Sequence, residues 1–250
     1  MALPFDCFVS FAFHSTAYGW LMLAGIFVSL TLWSRVARSD SRLLLIYLAA
    51  LTGAFVGAKL VYLGAEGWLH WHDEDRWLQL ATGKSILGGL LGGYAGVELA
   101  KYFLGYTGVT GDWFALIAPL GIMLGRVGCV LHGCCLGRVC ESSWFTMNDS
   151  SGATRWPAAM VELIFNAIAL GTILLLRQKK FLPGQHFHLY LMAYGLFRFF
   201  HEFLRATPQI LGFISGYQIA ALAVAALGLI GFLRRRRPSV VVQRGSSGGL

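Results

Sequence analysis

Apolar residues run through this chain in stretches too long and too frequent for one soluble core. Of its 250 residues 56% are hydrophobic and only 13% charged, and the mean hydropathy is +0.63. In hydrocarbon a backbone satisfies its own hydrogen bonds only as a helix or a closed barrel, and a helix needs about 20 apolar residues to cross a core about 30 Å thick. The apolar stretches have about that length. They predict helical spans at 16–34, 43–64, 85–105, 113–135, 156–176, 185–205 and 209–233. The expected fold class is an all-α polytopic membrane protein of about seven transmembrane helices. These form a single transmembrane domain over 1–238, followed by a disordered or expression-derived tail at 239–250.

The net charge of +8 does not point to nucleic acid, because the basic residues are grouped in alternate loops. Arg35, Arg38 and Arg42 follow the first span, Lys101 ends the third, Arg177, Lys179 and Lys180 follow the fifth, and Arg234 to Arg237 follow the seventh. Loops rich in Lys and Arg face the cytoplasm, which places the N-terminus outside and the C-terminus inside. The acidic, Trp-rich segment Glu66-GWLHWHDEDRWLQLATG then falls outside. The start MALPFDCFVS lacks a basic n-region, so no cleavable signal is expected.

Against this background the charges inside the spans stand out. Arg126 lies in the fourth span, and Arg198, Glu202 and Arg205 lie in the sixth. An ionisable group at membrane depth costs at least about 2.5 kcal/mol, which makes each a candidate for function. Both Arg126 and Arg198 come about 20 Å from the inner face by the rise of a helix, and Glu162 about 9 Å from the outer face. Glu202 sits one turn above Arg198, with Arg205 on the same stripe. Lys59, His132, and His14 with Tyr18 at the mouth of the first span complete a polar layer that opens outward. One reading is an ion-pair ladder along a single helix, with Arg126 snorkelling to the headgroups. The other is a pocket of three arginines and one or two glutamates that takes an anion, and a guanidinium fork suits the phosphate of a phospholipid. Glu98 falls in the inner half and is expected to pair with a neighbouring polar group.

Glycines at 88, 89, 92, 93 and 96 have small-xxx-small spacing, which lets helix backbones touch. Those at 121, 125, 128, 133 and 137 weaken the fourth span toward its outer end. Within Cys129-VLHGCCLGRVC the cysteine spacing is C-x4-C-C-x4-C around His132. The usual zinc pairing is C-x2–4-C, so no metal is expected. Structural disulfide or buried thiols, a reactive thiol lowered in pKa by Arg126, Arg138 and His132, and a metal set remain as readings of the cysteines.

Gly125-RVGCVLHGCCLGR resembles the signature of the prolipoprotein diacylglyceryl transferase family, roughly G-R-x-G-N-F-x-N-x-E-x-x-G-R. The likeness extends to Tyr18-Gly19, to Gly57-AKLVY against G-A-R-L-x-Y, to Ser85-ILGG against S-F-H-G-G, and to Tyr194-GLFRFFHEFLRATP against Y-G-x-x-R-F-x-x-E-F-x-R-x-P. It covers about residues 14 to 208. The resemblance implies a multi-pass enzyme of a bacterial-type inner (plasma) membrane. Its reaction would transfer the diacylglyceryl group of phosphatidylglycerol, or a related anionic phospholipid, to the thiol of a lipobox-containing preprolipoprotein, without a cofactor. Arg126, Arg198 and Glu202 carry over as the catalytic cage, with His132 as a substitute base. Tyr18, His14, Lys59, Gly88, Gly89, Gly125, Gly128, Arg138 and Arg205 carry over as substrate-binding, and Cys129, Cys134 and Cys135 stand as candidate reactive thiols.

The departures cluster at the reactive end. Leu87 stands where the family has histidine, Cys129 and His132 where it has asparagine, and Cys134 where it has glutamate. Trp156-PAAMVE replaces H-P-S-Q-L-Y-E and keeps only Pro157 and Glu162. Leu87→Ala is expected to do little to activity, in contrast to Arg126→Ala or Arg198→Ala. Three functions follow: the transferase with a rebuilt acceptor site; a same-fold transferase with another acceptor or a Cys-linked lipid; and a noncatalytic phospholipid-binding or thiol-redox membrane protein.

Overall fold

The computed structural model describes residues 4–38, 40–74, 76–149, 151–210 and 212–236, with the side chains of 4–18, 22, 78 and 236 outside the described residues. The side chains of His14 and Tyr18 are therefore outside them, as is the tail expected at 239–250. The helices are α1 (Pro4–Ala37), α2 (Arg42–Ala65), α3 (Arg76–Thr82), α4 (Ile86–Phe103), α5 (Gly111–His132), α6 (Ala158–Gln178), α7 (His186–His201) and α8 (Gly216–Arg236). Short 3-10 turns cover Gly67–His72 and Glu202–Leu204, and a small antiparallel hairpin pairs β1 (Met147–Asn148) with β2 (Thr154–Arg155).

Each of the expected spans coincides with a helix. By length and composition, α1 from Gly19, α2, α5, α6 and α8 can cross a membrane. The 16 residues of α7 are short for that, and α4 is diluted by glycines and carries Glu98 and Lys101. Helix α5 stops at His132, short of the expected 135, because Gly133 turns left-handed at φ 66°. Helix α8 starts at Gly216 instead of 209.

The distribution of side chains is inverted relative to a water-soluble protein. Phe55, Leu60, Ile168, Leu175 and Phe200 point outward, whereas Arg126, Glu162, Asn166, Arg198 and Glu202 are buried. An apolar exterior around a polar interior fits helices solvated by lipid.

Helix α2 packs along α4, α7 along α8, and α5 lies between α1 and α6. The α2–α4 contact is backbone on backbone. A Cβ at Gly92 would collide with the Gly53 carbonyl, and one at Gly57 with the Gly88 carbonyl. Gly195 of α7 meets Ala221 and Ala225 of α8 in the same way. Leu87, only 1% exposed, sits in the main core with Tyr190, Leu191, Tyr194, Ala221 and Val224, so its truncation would remove core packing. A second cluster joins α1 to α2 through Trp33, which donates from Nε1 to the Leu43 carbonyl at 2.7 Å.

Gly92→Leu should therefore lower the melting temperature of the detergent-solubilised protein, since overpacking costs about 1–3 kcal/mol or more. Gly171→Ala, where a Cβ meets nothing within 4 Å, should leave it unchanged or raise it slightly.

Candidate active site

Helix α7 buries a row of every fourth residue: His186, Tyr190, Tyr194 and Arg198, continued by Glu202 in the following turn. Residues four apart lie on one helix face, so a single stripe of α7 presents all of them to α5 and α6. Glu162 and Asn166, also four apart, answer from α6. Arg126 reaches in from the last turns of α5.

These side chains form one network. Glu162 is 0% exposed, and its Oε2 lies 2.8 Å from Arg126 Nη2 and 3.8 Å from Arg198 Nη1. The Tyr194 hydroxyl donates to Glu162 Oε1 at 2.7 Å. Asn166 Nδ2 donates to the Glu162 carbonyl at 2.8 Å, and Asn166 Oδ1 accepts from the Tyr190 hydroxyl at 2.8 Å. Glu202 Oε2 then lies 2.8 Å from Arg198 Nη2 and 3.6 Å from Arg205 Nε. The intrahelical ladder exists, but Glu162 ties it across helices to Arg126, so the two readings of these charges are parts of one cage. Three guanidinium groups against two carboxylates leave one net positive charge. Among the described residues Arg126 Nε, Arg198 Nε and Nη1, and Arg205 Nε and Nη1 are buried without a hydrogen-bond partner. A buried donor left unpaired costs free energy, and an anion placed here would recover it.

The cage borders a cavity of about 1010 Å³. Arg126, Arg198, Arg205, Cys129 and Cys135 line one end; Ala54, Gly89, Gly93, Ile122 and Gly125 line the middle; Glu98, His188 and Arg235 line the other. Arg198 and His188 are ten residues apart on α7, which is about 15 Å of helical rise. The volume lies at the upper end of small-molecule pockets, and its apolar middle suits hydrocarbon.

Beyond α5 the left-handed turn at Gly133 folds the chain back, and the Cys134 amide donates to the Cys129 carbonyl at 3.1 Å. The thiols of Cys129, Cys134, Cys135 and Cys140 are free. The sulfurs of the first three lie within 4.8 Å of one another, and Cys134 Sγ is 3.5 Å from Cys135 Sγ. Arg126 Nη1 donates to Cys129 Sγ at 3.7 Å. The loop is then stitched to its neighbours. Gly137 N donates to the Trp156 carbonyl at 2.7 Å, and Arg138 N to the Leu204 carbonyl at 3.0 Å.

The remaining candidate residues are placed more variously. Gly89, Gly125 and Arg205 line the cavity. Lys59 turns instead to the carbonyls of Leu80 and Gly83, tying α2 to the α3–α4 connection. Gly88 is occupied in the contact with Gly57, and Gly128 is buried within α5. Arg138 is exposed and donates from Nε to the Arg205 carbonyl at 3.1 Å, which holds that segment. His132 is exposed at the end of α5, outside the cavity lining. Glu98 pairs with Lys101 at 3.5 Å, the polar partner expected for it. Sequence reasoning missed Tyr190, Tyr194 and Asn166. The available signal was their spacing of four from Arg198 and Glu162.

Comparison with known proteins bears on this site. The sequence profile of a family described as prolipoprotein diacylglyceryl transferase matches residues 7–234. A phosphatidylglycerol–prolipoprotein diacylglyceryl transferase from Pseudoalteromonas atlantica is 32% identical over 198 residues, 78% of this chain and 69% of its own. Proteins of the same name from Vibrio parahaemolyticus and Chlorobaculum tepidum are each 29% identical. The Vibrio match covers 85% of this chain and 84% of its own, and the Chlorobaculum match 78% and 76%.

Removing one partner from a buried ion pair costs about 3–5 kcal/mol, because it strands the other charge. Glu162→Ala should accordingly destabilise the protein strongly in thermal unfolding, while Tyr194→Phe should cost only about 1 kcal/mol. Equal melting of Glu162→Ala and wild type would mean that Glu162 does not hold the helices together.

Proposed function

The chain belongs to the prolipoprotein diacylglyceryl transferase family, and on that premise we propose that it moves the diacylglyceryl group of phosphatidylglycerol onto a prolipoprotein cysteine at the outer leaflet. The observation that carries this reading is the convergence of Arg126, Arg198 and Arg205 at the head of an apolar cavity. The phosphate of the donor meets guanidinium N–H groups that lack a hydrogen-bond partner, Arg126 Nε and Arg198 Nε among them, and its acyl chains fill the space along Gly89, Gly93 and Ile122. The acceptor thiolate attacks the glycerol carbon bonded to the phosphate oxygen. As the carbon–sulfur bond forms, the carbon–oxygen bond breaks with its electron pair staying on oxygen, and glycerol phosphate leaves. Preorganised arginines stabilise the charge developing on that oxygen without reorganisation. Glu162 and Glu202 act on the arginines and set their positions.

The membrane arrangement that accommodates this has seven crossings in an inner (plasma) membrane, N-terminus outside and C-terminus inside. The alternate basic loops support it. So do α4 and α7, each packed along a longer apolar partner. The cage then opens toward the face where a translocated prolipoprotein presents its lipobox.

The thiols beside Arg126 favour a second reading, with lipid carried on Cys129, Cys134 or Cys135. A dialkyl thioether has no good leaving group, so lipid placed there would stay as an end product. This leaves direct transfer as the productive route.

Purified protein given phosphatidylglycerol and a lipobox peptide should yield a diacylglyceryl thioether by mass spectrometry, and an absence of product beside an active control enzyme would oppose the reading. Arg126→Ala and Arg198→Ala should each lower turnover by at least about 10²–10³-fold, the cost of losing one preorganised donor. Unchanged turnover in Arg198→Ala would place the chemistry elsewhere. Leu87→Ala should act through stability, at about 2–5 kcal/mol for a core leucine.

A further inference from the structure

We propose that Cys129, Cys134 and Cys135 form a zinc site whose fourth position binds and activates the acceptor thiol; this rests on the transferase reading above. Three thiol sulfurs lie within 4.8 Å of one another. Tetrahedral zinc thiolates have Zn–S bonds of about 2.3 Å, which places neighbouring sulfurs about 3.8 Å apart. Cys134 and Cys135 are already at 3.5 Å, so small side-chain movements close the set. The C-x4-C-C spacing hides this arrangement, because left-handed residues at Gly133 and Cys135 bring the vicinal pair back over Cys129.

Chemistry selects the ion. Three thiols with no carboxylate among them favour a soft or borderline metal, and zinc with three protein ligands keeps an open position for a substrate. Direction selects the role. Cys129 and Cys135 line the same cavity end as Arg126, Arg198 and Arg205, so the open position faces the phosphate end of the donor. The positions that depart from the family signature, Cys129 and Cys134, supply two of the ligands.

A thiol bound to zinc is deprotonated. The acceptor cysteine therefore enters the open position and releases its proton to water. Its sulfur attacks the glycerol carbon, the carbon–sulfur bond forms, and the carbon–oxygen bond breaks with its electron pair going to the phosphate oxygen under the arginines. The thioether is neutral and a weak ligand, so it dissociates. No atom changes oxidation state, and zinc activation takes the place of the histidine that Leu87 replaces.

The test uses the full chain in detergent, purified without chelator. Elemental mass spectrometry should find zinc equimolar with protein. Cys129→Ser, Cys134→Ser and Cys135→Ser should each weaken zinc binding by at least about 100-fold, beyond the roughly 10–100-fold cost of losing an outer-shell partner, whereas Cys140→Ser should not. Wild-type protein stripped and refilled with Co²⁺ should show thiolate charge-transfer bands. A cysteine lipobox peptide should shift those bands, and its serine analogue should not. This measurement needs no variant and no phospholipid. Absence of bound metal, a disulfide among the three cysteines, bands indifferent to the peptide, or full transfer by stripped protein would each overturn the zinc site. Zinc-loaded protein that binds the peptide thiol but forms no thioether would overturn the transferase reading and leave the site standing.

Discussion

Everything in this protein depends on a carboxylate placed where a carboxylate is least welcome. Glu162 is fully buried among helices whose outer faces are apolar, and it survives there because Arg126 and Arg198 come to the same oxygen from two other helices. Moving a lone ion into such surroundings costs several kcal/mol even after relaxation. Glu162 is therefore tolerable only while the two arginines are present, and Arg198 is held by Glu202 as well. In lipid, apolar faces have little reason to prefer one another over hydrocarbon. The α5–α6–α7 arrangement gets its specificity from this shared ion instead.

The rest of the packing frees space for that centre. Glycines bring α2 onto α4, and α7 onto α8, until backbones touch, and the small residues Gly89 and Gly93 leave the cavity wall open on the other side. Tyr190 and Tyr194 then join the ionic layer to the apolar core, with rings in the core and hydroxyls on Asn166 and Glu162. One helix face thus serves both stability and the site.

The sequence made the helices and their charged level legible, because hydrocarbon thickness fixes span length and helical rise fixes depth. It placed Arg126 and Arg198 at one level, and the structure joins them through Glu162. What it could not give is which partner each polar group chooses. Lys59 was placed in the polar layer by its depth and among the substrate-binding residues by the family resemblance, yet it turns to the carbonyls of Leu80 and Gly83. Gly88 read as a site residue belongs to the helix contact. The spacing of the cysteines along the chain says little about which sulfurs meet, because left-handed residues at Gly133 and Cys135 turn the chain back. Tyr194 was overlooked because a tyrosine in an apolar helix looks like core until its hydroxyl partner is known.

Arg205 differs from the other two arginines in how it is mounted. It follows the 3-10 turn in an extended conformation, φ −92° and ψ 152°, with its carbonyl held by Arg138. Arg126 and Arg198 are set by helical phase, so one inserted residue upstream in α5 or α7 would rotate either by about 100° and dismantle the cage. Beyond Ala206 and Thr207, which line the cavity, the described residues up to Ser215 carry no such helical phase. Divergence in this lineage should accordingly accumulate as loop-length variation beyond Arg205, while the two helices stay uninterrupted.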